Sequence, residues 1–573
     1  YMLGRTEALL GNSEAAQVAF QAVRRQVAGG ATDPLGVALT SLGDEARLHL
    51  DAHEDAAAVA LYAEQAARGS AYGRASLLFV ARALVGDPVR LERTIADPLV
   101  RRLVAVYLYS RAPEADDWAS AEYDASGTLS KAGEKAEARI GGFLALVEKQ
   151  GIEKMPGADR LAALAYRHGD YALAQRFAEK DTSGLAWWVR AKLALRDGDA
   201  TRAAQAYAEA AKAFPADERW GEGEYFDGAP LVPQCRVEGE AGTLALSRGE
   251  YVAALEHLYR GAREYWPDAA YVAERVLTVD ELKAFVDAKV SPLAPAMPPT
   301  ESEQYGWLPS SPANALRELL ARRLLRADRY DEALAYFDDP ALKAKATAYF
   351  EARRAADKGD RIERARAWYA AARAARVDGM ELIGYELDPD YRFYDGSFDL
   401  HWQPDNDDGT KPSRTDIPVP DKLATAGERE RVAASRAHPL ERFHYRYVAA
   451  GFASKAADLL PPRSQAFAAV LCHATGWLLY RDPPFAQTLY RRYVQQGPYM
   501  PWAAHFGTEC PEPDFAGAER RLEAERIAHI KRVARHAAPY VGAGLILAGL
   551  ALVLVWRKRR KTIPPGADSG AAS

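Results

Sequence analysis

The sequence predicts an all-α protein, an α-solenoid of antiparallel helix pairs closed by one C-terminal transmembrane helix. Three observations carry this. Apolar residues recur at helical spacing with little strand-like alternation, and glycines punctuate the runs. Small residues return at fixed offsets from aromatic ones along most of the chain. One long uncharged apolar stretch stands near the C-terminus.

The clearest unit runs from Gly184 to Pro215. One helix ends at Arg196-Asp197-Gly198-Asp199 and a second begins at once, with Gly198 at the turn, where positive φ is tolerated. Ala191 and Ala194 form a small face on the first helix. Ala203, Tyr207 and Ala210 lie on one face of the second, so the backbones can approach closely while Tyr207 fills the gap to the next pair. An Ala followed four residues later by an aromatic recurs at Ala16/Phe20, Ala58/Tyr62, Ala333/Phe337, Ala365/Tyr369 and Ala486/Tyr490. Twelve residues before those alanines stand Gly4, Ala46, Ala321, Arg353 and Ala474, of which Arg353 alone breaks the small-residue rule. The turn returns as His168-Gly169-Asp170-Tyr171 and Arg248-Gly249-Glu250-Tyr251, with Ala162 and Gly242 as small partners.

These residues resemble the tetratricopeptide repeat, a helix–turn–helix of about 34 residues. The matching positions are Ala191, Gly198, Ala203, Tyr207 and Pro215. Composition suggests a bacterial source, and the resemblance implies a degenerate TPR/SEL1-type array over most of residues 1–505. It also implies a rigid groove that binds protein partners. Leu185, Trp188, Lys192 and Leu195 are the groove-facing residues expected in the matched repeat. Some members of the family clamp a partner's C-terminal carboxylate with Asn and Lys; the equivalent positions one repeat earlier are Pro156, Asp159 and Ala163, so that clamp is not reproduced. An apolar or mixed peptide surface is expected instead.

Proline and glycine divide the array. Residues 1–288 read as an N-terminal lobe, interrupted at 214–235, and 289–312 as a proline-rich linker through which no helix runs. Residues 313–512 form a second helical lobe with an irregular insertion at 379–421. Residues 513–536 follow as an amphipathic juxtamembrane helix, in which Leu522, Ile527, Ile530 and Val533 alternate with charges and which serves to cap the array.

From Ala537 to Trp556 no charged residue occurs. Twenty helical residues span about 30 Å, a bilayer core, and Tyr540 and Trp556 suit its two interfaces. Pro539 is expected to kink the junction with the preceding helix. The cations Arg557–Lys561 and the tail to Ser573 are placed in the cytoplasm and the large domain outside, although Lys531, Arg532 and Arg535 precede the span. A cytoplasmic tail-anchored adaptor is the opposite arrangement. Gly544 and Ala548 form a small-xxx-small pair through which the span can self-associate. The chain opens at Tyr1 inside what reads as a repeat, so an upstream segment is expected.

Charge and motifs narrow the chemistry. Lys and Arg number 74 against 79 Asp and Glu, a net charge of -5, which does not suit nucleic-acid binding. Three cysteines do not make a disulfide scaffold or a four-cysteine zinc site. Phosphate-loop, HExxH, GxSxG and GxGxxG patterns are absent, so no enzyme and no cofactor is predicted. Cys472 beside His473 reads as a packing residue, since helix neighbours point in different directions; in a domain outside the cytoplasm it could pair with Cys510. The insertion interleaves Glu386, Asp388, Asp390, Asp395 and Asp399 with Tyr385, Tyr391, Phe393, Tyr394 and Trp402. Carboxylates beside aromatic platforms suit glycans, which gives a second reading as an envelope glycan-binding or glycan-processing factor through Glu386, Asp388, Asp390, Tyr391, Tyr394, Asp395 and Trp402. Asp405–Gly409 does not fit a calcium loop, because Pro404 takes the first ligand position, and no metal is predicted.

Overall fold

The computed structural model describes residues 1–111, 131–151, 157–220, 231–292, 311–384, 424–435 and 444–560. Among these no β-strand occurs, and the fold is an all-helical, tetratricopeptide-like stack of antiparallel pairs. The chain divides into two compact units, Tyr1–Ala269 and Ala270–Ser573. Most of the proline-rich linker, 293–310, lies outside the described residues.

In the first unit the pairs include Met2–Leu9 with Ser13–Ala28, Val37–Asp51 with Asp55–Ala67, Ala158–His168 with Tyr171–Ala178, Gly184–Arg196 with Ala200–Ala213, and Pro233–Ser247 with Tyr251–Arg260. Three of these helices begin at a capping side chain. Asp170, Ser183 and Asp199 accept from the backbone N–H groups of Leu173, Ala186 and Arg202 at 3.0, 3.3 and 2.9 Å. The turn glycine Gly198 takes φ +78°. One hydrophobic core runs through the stack from Ala46 to Leu244, so successive pairs share it as a solenoid requires.

The small-residue seam explains why the pairs close. Ala191, Ala194, Ala203 and Ala210 are fully buried, and Tyr207 is nearly so. A Cβ added to Gly4 would stand 2.7 Å from the Phe20 ring, and one on Gly242 would stand 2.6 Å from Leu258 Cγ. Each helix thus carries a notch matched to a large residue on its partner, and dispersion contacts accumulate where the axes come close.

The second unit repeats the device with departures. Arg361–Val377, His444–Leu459, Gln465–Leu478 and Pro483–Gln496 share a core that reaches Ala518, and Pro340–Ala355 packs against Arg361–Val377. Ala365, Tyr369, Ala474 and Ala486 are buried as the spacing predicts. Three positions differ. The helix expected to carry both Ala333 and Phe337 is only Tyr330–Ala333, because Asp339 and Pro340 already cap and start the next helix; both residues are buried nonetheless. Tyr490 is 41% exposed and lies against Phe506 instead of filling a seam. Arg353, in a small-residue position, lays its guanidinium 4.4 Å from the Trp368 ring centroid and 4.8 Å from that of Phe452. The two ring centroids are themselves 5.2 Å apart, so a flat cation beside an aromatic pair occupies that position in place of an Ala.

Candidate interaction surface and membrane anchor

Helix Gly184–Arg196 positions the predicted groove residues on one face, and the structure ties that face to the following pair. Trp188 donates its indole N–H to Glu240 Oε2 at 2.7 Å, Lys192 Nζ donates to Glu240 Oε1 at 3.0 Å, and the Tyr207 hydroxyl donates to Oε2 at 2.9 Å. Burial works to raise the Glu240 carboxyl, but the bonds from Trp188, Lys192 and Tyr207 and the Lys192 charge outweigh it and hold the group below its ordinary range. The same carboxylate pushes the buried Tyr207 hydroxyl well above its usual value, after burial itself. Trp188 also stacks on Trp220, centroids 6.0 Å apart, and meets Phe214 edge-on. Trp220 is held there by paired backbone bonds with Leu231, 2.9 Å each way, which close the break at 214–235 into an antiparallel bridge.

Of the four predicted residues, Leu185 is buried, Trp188 and Lys192 are half-buried and engaged with Glu240, and Leu195 is 39% exposed. The pattern placed them on one face but gave no sign of Glu240, which arrives from a helix beyond the irregular segment. On another face of the same helix, Trp187 and Arg190 line an open groove of about 570 Å³ together with Gln175 and Glu179 from the preceding helix and its cap and Gln205 and Glu209 from the following helix. Arg190 packs over Trp187 at 4.1 Å and donates to the Asp181 carbonyl at 2.6 Å. Both faces carry an aromatic and a cationic side chain, and the groove adds the amides of Gln175 and Gln205. Glu386, Asp388, Asp390, Tyr391, Tyr394, Asp395 and Trp402 all lie outside the described residues.

The cysteine chemistry is quiet. Cys472 is joined to Cys510, with Cα atoms 5.6 Å apart, so its sulfur is no nucleophile. Burial pushes the Cys235 thiol up to about 11, leaving it protonated near neutrality. Burial also lowers His473, which bonds the Pro511 carbonyl at 3.2 Å. Among the described residues no group of three or more His, Cys, Asp and Glu could hold a metal ion.

Phe515–Arg560 is one 46-residue helix, with Pro539, the position of the expected kink, inside it. Among the described residues, contacts reach only the base of this helix. Phe515, Ala518 and Leu522 pack on the core of the second unit, and Ala518 is 1% exposed. The segment entering it is fastened to Gln465–Leu478 by the disulfide, by Gln465 Nε2 to the Glu512 carbonyl at 3.0 Å, and by the Asp514 N–H to Gln465 Oε1 at 2.7 Å. Arg373 adds an ion pair to Glu512 at 2.8 Å. Beyond Leu522 the apolar residues Ile527, Ile530 and Val533 are exposed, as are the large ones of the following apolar run. By length and composition this run is a candidate membrane span.

No known family profile matches the sequence, and no curated protein matches it. Among solved structures the chain is similar to the crystal structure of yeast Tom70, at 11% identity over 93% of this chain and 96% of that one, with a TM-score of 0.21. A superposition that loose carries no weight for function.

Proposed function

We propose that this chain is a membrane-anchored scaffold that gathers protein partners on its helical repeats in a bacterial envelope, with residues 1–536 outside the cytoplasm and the tail from Arg557 inside. The observation that carries the reading is the long helix. Its first two turns belong to the core of the last repeats, whereas among the described residues none covers its apolar run. A lipid core covers such a surface at no polar cost. The repeats supply preformed faces, so a partner would bind without first ordering them. Leu195, the open edges of Trp188 and Lys192, and the Trp187–Arg190 groove are the surfaces proposed for contact.

The disulfide favours the outside placement over a cytoplasmic adaptor, because such bonds persist in oxidising compartments. Five cations follow the span at Arg557–Lys561, against three just before it, Lys531, Arg532 and Arg535. Protease added to intact spheroplasts tests the orientation: the large domain should be digested without lysis, and protection until lysis would reverse it. Crosslinking in native membranes tests the scaffold role. A protein partner lost on Trp187→Ala or Leu195→Asp supports it; turnover of envelope glycan by the purified chain would replace it with the enzymatic reading.

A further inference from the structure

We infer that the membrane-proximal part of the long helix binds anionic phospholipid headgroups in the leaflet facing the repeats. This rests on the anchoring proposed above and adds a ligand class to it. Charge is segregated along the helix. Its acidic residues, Glu519, Glu523 and Glu525, lie near the docked base, and from Arg526 to Lys561 the sequence contains no Asp or Glu. Near the base, Arg521 pairs with Glu525 at 3.0 Å, and Arg520 approaches Asp514 at 3.9 Å. Lys531, Arg532 and Arg535 are exposed and have no ion-pair partner among the described residues. Their neighbours three and four positions away carry no carboxylate, so the helix cannot neutralise them itself.

Position turns this charge into a lipid site. The three cations precede Ala537 by two to six residues, about 3 to 9 Å along the axis, the depth of a headgroup layer. At 100° per residue they fall within one sector of about 100°, with Ile530 and Val533 on the far side of the helix. Guanidinium groups grip phosphodiester oxygens in pairs, and the lysine adds a point charge. The helix continues through the junction, which sets the heights of the cations relative to the apolar run.

The full chain, reconstituted in bilayer discs of phosphatidylcholine with a minority of phosphatidylglycerol, provides the test. Arg557–Lys561 are neutralised in all samples so that the opposite leaflet adds nothing. The association of spin-labelled phosphatidylglycerol relative to spin-labelled phosphatidylcholine is then read with and without K531Q/R532Q/R535Q. The parent should prefer the anionic lipid, the triple variant should lose that preference by about fivefold or more, and R532K/R535K should keep most of it. Equal preference in parent and triple variant overturns the inference. Density flotation separates the two claims: a chain that fails to float with vesicles refutes the anchoring, whereas one that floats without lipid selectivity refutes only the headgroup site.

Discussion

The indole N–H of Trp188 and the ammonium of Lys192 converge on a single acceptor, the carboxylate of Glu240, so two residues that the repeat pattern assigns to a partner also hold one helix pair to the next. Removing the acceptor's charge should be felt as stability before it is felt as binding. Glu240→Gln is expected to cost about 1 to 3 kcal/mol in urea denaturation at neutral pH. The sign of its pH dependence is set by the depressed Glu240 value: the contribution is present above the unfolded carboxylate pKa and is lost as pH falls through the lower folded one. The gap between parent and variant should therefore narrow on acidification through the carboxylate range. A gap that widened there would contradict the assigned network.

Glycines on the helices should separate into two kinds. Gly242→Ala pushes a methyl to 2.6 Å from Leu258 Cγ and should destabilise by about 1 to 3 kcal/mol, with partial recovery in the double variant carrying Leu258→Ala. Gly142, inside Lys131–Lys149, has nothing within 4 Å of an added Cβ. Gly142→Ala should stabilise by about 0.5 to 1 kcal/mol. Thermal melts of the four proteins give the comparison.

The disulfide closes a loop with a sequence separation of 38, for which chain entropy alone gives about 4 kcal/mol. Cys510→Ser, or a reductant, should leave the N-terminal unit's melting unchanged and expose the segment around Pro498–Pro513 to protease. Unchanged cleavage in reductant would show that the hydrogen bonds from Gln465 suffice alone.

His473 adds an acid-sensitive element to the same junction. Burial lowers its folded pKa, so its contribution is whole above the unfolded imidazole value, about 6.5, and declines as pH falls from there toward the folded value. His473→Gln should flatten that decline, measured as protease sensitivity of the junction between neutral and mildly acidic pH.

The repeat was legible because it is written in volume. Ala191, Ala203 and Tyr207 recur at offsets that only close helix packing demands, and the structure buries all three. Exceptions arise where a residue acts through something distant in sequence. Arg353 looked like an interruption until Phe452 was beside it, and Glu240 had no local signature. Phe337 illustrates a different limit: its burial followed from the spacing, but the helix that should have carried it yielded to the capping chemistry of Asp339 and Pro340. Likewise the apolar length of Ala537–Trp556 was plain, whereas the fastening of its base to Gln465 and Cys472 depends on contacts that no periodicity encodes.

That fastening leaves no swivel. From the clamp at Cys510 the backbone passes within five residues into an unjointed helix that continues to Arg560. In a bilayer, a partner tugging on the last repeats would tilt or twist the embedded rod as a lever turns its shaft, and the motion would emerge at the basic end on the far side.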